Sequence, residues 1–72
     1  MNELNIKKLQ NSKWTAVVPK KKEKHFIVTE VEYNEEGQIT SCQIEAVYSK
    51  RQEYINWQDL KLKHLWKPGW VQ

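Results

Sequence analysis

One cysteine, two glycines, two prolines and a single aspartate are all that the 72 residues hold of four types on which small domains often lean. Cys42 alone cannot close an internal disulfide, so nothing covalent staples the chain. That fits a reducing compartment. Gly37 and Gly69 are too few for a glycine-rich phosphate loop. His25, His64 and Cys42 share no CxxC or HxxxH spacing, so no metal site is expected. Asp59 is the sole aspartate, which leaves any carboxylate pair to glutamates that read as solvent-facing. A Cys42–His nucleophile pair needs a cleft that spacing cannot supply. No enzyme and no cofactor are expected. Long apolar runs are missing too. The longest, such as Ala16-Val17-Val18, span three residues, so neither a signal peptide nor a membrane-crossing helix is expected. A cytoplasmic protein is the default expectation.

Aromatic residues are plentiful by contrast. Four tryptophans stand in a chain near the lower size limit for an unaided core. Each carries a large apolar area, so Trp14, Trp57, Trp66 and Trp70 are read as structural. The strongest local signal is the stretch from His25 to Ser49, two arms rich in β-branched and aromatic residues around Asn34-Glu35-Glu36-Gly37. Asn first and Gly fourth suit a type I turn closed by a left-handed glycine. The register then sets Tyr33 opposite Ile39, Val28 opposite Ile44 and Phe26 opposite Ala46. One face collects Phe26, Val28, Cys42, Ile44, Ala46 and Tyr48 as a core. The other carries Ile27, Val31, Tyr33, Ile39 and Val47 among polar residues, too apolar for a face wholly in water.

Before the hairpin, Lys13–Val18 reads as a first strand ended by Pro19, and Lys20–Lys24 as a solvated loop. After it, Glu53–Ile55 reads as a short fourth strand. Asn56 caps a helical turn that can reach no further than Trp66, because Pro68 follows. Lys67-Pro68-Gly69-Trp70 suits a type II turn that swings Trp70 back. Residues 1–11 carry no turn signal and are expected to fray. Residues 12–72 form one domain. The expected fold is mainly β: a curled, antiparallel four-stranded meander with a short C-terminal helical turn and a tryptophan-bearing tail packed on the sheet.

Charge is segregated beneath a net +3. Residues 1–24 hold seven lysines against Glu3 and Glu23. Residues 25–49 hold five glutamates and neither Lys nor Arg. Residues 50–72 are basic again. The hairpin sends Glu30, Glu32, Glu35 and Glu36 toward its tip. Lys20, Lys21, Lys22 and Lys24 enter at its open end, where Lys50 and Arg51 leave. These loops should make one basic rim, with Tyr48 and Tyr54 beside it as stacking surfaces. Most such rims are solvated surface. As a site, basic residues among aromatics suit single-stranded nucleic acid or a phosphate backbone. The alternative is a protein-interaction module using exposed apolar sheet surface, at positions such as Ile39 and Val31, or an exposed tryptophan. No membrane partner is expected, and the oligomeric state stays open.

The segments LQNSKWTAVVP, EKHFIVTEV, IEAVYSKR, the Trp57 region and LWKPGW resemble a family of small tryptophan-rich bacterial proteins of unknown function. The resemblance covers nearly all of the chain after residue 8. It matches the family's characteristic tryptophans to Trp14, Trp57, Trp66 and Trp70. It implies one domain and brings no assigned activity, cofactor or partner.

Overall fold

The computed structural model describes residues 2–72. Four antiparallel strands follow one another as the expected meander: β1 (Lys13–Lys20), β2 (Glu23–Tyr33), β3 (Ile39–Ala46) and β4 (Gln52–Tyr54). A fifth, β5 (Trp66–Pro68), returns to the outer edge of β1, so the order is β4-β3-β2-β1-β5. Three residues are too few to show a period in sequence, which hides this strand. Pro68 is tolerated because β5 is an edge. Two 3₁₀ turns, Ile6–Lys8 and Trp57–Lys61, complete the secondary structure of the described residues.

The hairpin turn forms as its residues dictate. Gly37 has φ +80°, and its N–H donates to the Asn34 carbonyl at 3.0 Å. The Asn34 side-chain oxygen accepts from the Glu36 and Gln38 amides, at 2.9 Å each. Tyr33–Ile39, Val28–Ile44 and Phe26–Ala46 are cross-strand pairs, as expected. Between them the register slips twice in opposite senses, by one residue at Thr40 on β3 and one at Thr29 on β2. Each bulge turns the next side chains to the other face. Cys42 therefore opposes Val31, not Glu30 where an unbroken register would place it. Val31 joins the buried core and Ile39 packs against it, so the exposed apolar face expected at those two residues does not exist. Each bulge threonine spans the ladder: Thr29 donates to the Gln43 carbonyl and Thr40 to that of Glu32.

Tyr48, placed in the core by simple alternation, is 72% exposed. The chain turns at Ala46, whose carbonyl accepts from Lys50 and whose N–H donates to Arg51, so Tyr48 rides on a turn. Pro19 lies inside β1 rather than ending it. The β1–β2 ladder is broken between Thr15 and Lys20, and no partner needs the amide that proline lacks.

The core is Leu9, Trp14, Phe26, Val28, Val31, Cys42, Ile44, Ala46 and Leu60. Leu9 follows the first 3₁₀ turn and Leu60 lies in the second, and both join the core on one face of the sheet, here called the front. The opening residues, expected to fray, are placed against the domain from Asn2 onward. The Asn2 side chain donates to the Leu60 and Trp66 carbonyls, and Asn11 donates to Val28. Of the expectation for residues 1–11, Met1 lies outside the described residues. Beyond Gly69 the C-terminal segment crosses the opposite face, the back. There Thr15 donates to the Gly69 carbonyl at 2.7 Å and accepts from the Val71 amide at 2.9 Å.

Candidate functional site

The turn between β1 and β2 consists of Lys21 and Lys22 alone, with Lys20 and Glu23 paired across its base. Both lysines have positive φ, 55° and 65°. A two-residue hairpin loop of this type matches the strand twist but favours Asn-Gly, since a Cβ is strained there. Lys50, in the turn between β3 and β4, has φ 64°. Among the described residues, three of the four left-handed non-glycine residues are thus lysines at one end of the sheet.

Glu23 holds the two turns together. Its carboxylate accepts two bonds from Arg51 Nε, at 3.1 and 3.0 Å, and one from Nη2 at 2.6 Å. The Ser49 hydroxyl donates to the same carboxylate. Arg51 Nη1 reaches Glu53 at 2.9 Å. The Glu23 side chain is only 6% exposed, so it is not part of a solvated loop as the lysine-rich run suggested. The Arg51 guanidinium, then Ser49, hold the Glu23 carboxyl at a pKa of about 2, against an ordinary 4.5. The Arg51 guanidinium is correspondingly harder to deprotonate.

Six of the eight expected rim residues, Lys20, Lys21, Lys22, Tyr48, Lys50 and Arg51, lie on these two turns or at their bases. Lys24 adjoins them: with Lys22, His25, Val47 and Tyr48 it lines a depression of about 270 Å³. Arg51 is at the rim, but Nε, Nη1 and Nη2 each donate to Glu23 or Glu53. Tyr54 is 68% exposed but sits on the edge strand opposite Gln43, roughly 10 Å along the chain from Arg51. It does not join the rim.

On the back face His25 Nε2–H donates to the Val71 carbonyl at 2.8 Å, and its ring lies 6.1 Å from that of Trp70. Trp70 donates through its indole N–H to the Phe26 carbonyl at 2.9 Å, and Lys13 Nζ stands 4.7 Å from its ring centroid. Reading the sequence for charge runs missed Glu23 and His25. The available signal was a lone acidic residue inside KKKEK.

Cys42 is buried, and burial pushes its thiol up to about 11, where the thiolate a nucleophile needs is scarce. Among the described residues no three His, Cys, Asp or Glu side chains converge as a metal site would require. No helix among them is long and apolar enough to cross a membrane.

The four tryptophans divide by role. Trp14 is buried, Trp57 and Trp66 pack against the core, and Trp70 is 43% exposed. The family described as tryptophan-rich protein (DUF2389) matches residues 12–71. The chain belongs to DUF2389. All four tryptophans of this member fall within the matched span, as do both turns of the rim. The function of DUF2389 is unknown. No curated protein and no solved structure matches the chain.

Proposed function

We propose that this DUF2389 member binds nucleic acid, through a phosphate backbone held on the lysine rim at the open end of the hairpin. The observation that carries the reading is the meeting of two turns bearing Lys20, Lys21, Lys22 and Lys50, with Lys24 adjoining and Tyr48 exposed among them. Strained, non-glycine turn residues persist where the surrounding structure holds them and where their side chains are needed. The role of Arg51 is to fix the two turns, while the lysines supply the free charge. Such a rim acts by binding rather than by chemistry, and a buried, unpaired thiol suits the cytoplasm, where nucleic acid is found. The rival reading, a protein-interaction module, finds less support at Ile39 and Val31, because both residues belong to the core or its packing.

Salt dependence tests the proposal. Neutralising about four phosphates on a single strand gives a log–log slope of affinity against salt near −3, at about −0.7 per contact. Reversing Lys21, Lys22 and Lys50 to glutamate should abolish binding with the melting temperature little changed, since exposed loop charges contribute little to stability. A flat salt profile, or full binding by the triple variant, would refute the rim.

A further inference from the structure

The depression beside Tyr48 and the C-terminal segment share one residue, His25. His25 lines the depression, and its ring bonds Val71 and neighbours Trp70. Trp70 differs from the other three tryptophans in being held without being buried. Its N–H is taken by the Phe26 carbonyl, which fixes the ring, while 43% of the residue stays in solvent. Lys13 lies over that ring with its ammonium 4.7 Å from the centroid. From the rim to the tail the surface thus offers Tyr48, then Lys22 and Lys24, then His25, then Trp70 with Lys13. Flat rings alternate with cations along it.

We infer that this path is a track for single-stranded nucleic acid, taking one base against Tyr48 and another against Trp70. Lys22 and Lys24 contact the phosphates along it, and Lys13 swings off the Trp70 ring face to a phosphate as the base takes its place. The inference rests on the rim reading above and adds the strandedness of the ligand and the side chains that select it. A single strand is specified because only an unstacked base offers its flat face to a ring, whereas a duplex hides it. Every base has such a face, so the track discriminates little between sequences.

Binding of a fluorescent oligouridine of about eight nucleotides, within the range of sites of this kind, is the test. It is compared with a duplex of the same length, for the wild-type protein and for Tyr48→Leu, Trp70→Leu and Trp70→Phe. Each leucine variant should weaken the oligouridine about fivefold or more, the lower bound for loss of one base stack. Trp70→Phe should keep most of the affinity, and the duplex should bind at least about tenfold more weakly than the oligouridine. If Trp70→Leu does not fold, Tyr48→Leu decides alone, because that side chain is 72% exposed on a turn. Wild-type affinity in folded leucine variants, or equal binding of duplex, overturns the track. A steep salt slope and loss of binding on lysine reversal would in that case still uphold the rim. Absence of salt-dependent binding removes both.

Discussion

Glu23 stands among four lysines in KKKEK, yet it is one of two polar residues, with Thr15, in the buried set. Its environment explains this: a guanidinium and a hydroxyl replace the water it loses, so the charge is kept rather than neutralised. The folded-state pKa, about 2, lies below the ordinary 4.5, so as pH falls the unfolded chain takes up the proton first. The stability supplied by the contact is whole above about pH 4.5 and is lost as pH falls toward 2. Glu23→Gln should therefore lower the melting temperature at pH 7, and its deficit against wild type should shrink between pH 4.5 and pH 2. Thermal melts across that window check it. A deficit of equal size at both ends would show that Glu23 acts through packing rather than charge.

At the scale of elements, the β1–β2 turn sets stability against the proposed function. Left-handed backbone costs a residue with a Cβ roughly 1–2 kcal/mol. Lys21→Asn with Lys22→Gly should relieve that strain, and a domain of this size gains about 4–8 °C for each kcal/mol. The double variant should melt several degrees higher and bind nucleic acid more weakly. A variant that gains stability and keeps full affinity would show that these lysines serve no ligand. Asn34 and Gly37 made the other hairpin legible, because turn chemistry fixes where pairing begins. The two bulges were not legible. Thr29 and Thr40 are ordinary strand residues, and simple alternation carried past them puts Val31 and Ile39 on the wrong face. Trp66-Lys67-Pro68 could be read as tail but not as strand, since its pairing depends on an edge 50 residues earlier. The rim was half legible: charge runs located the lysines, while the pairing of Arg51 with Glu23 depends on contact across two turns.

At the scale of the molecule, the C-terminal segment is structural on one side of the sheet and exposed on the other. Trp66 meets Phe26 edge to face at 5.2 Å on the front, and Trp70 crosses to the back. Removing residues 66–72 deletes β5, the partner of the Thr15 hydroxyl and the Trp66 carbonyl that receives Asn2. Thermal unfolding of the truncated chain should begin far lower or lose its cooperativity. An unchanged melt would mean that the tail adds nothing to the fold. The pairing of β1 with β5 also has a kinetic consequence. Thr15 and Gly69 are 54 residues apart, so this ladder closes the longest loop in the sheet, and the entropy of closure must be met before any contact rewards it. The meander joins neighbours in the chain and should assemble first. During that interval β1 has an unpaired outer edge from Trp14 to Ala16, open to the same edge of another molecule. Refolding yield should accordingly fall as protein concentration rises, even though the finished sheet covers the edge that causes the loss.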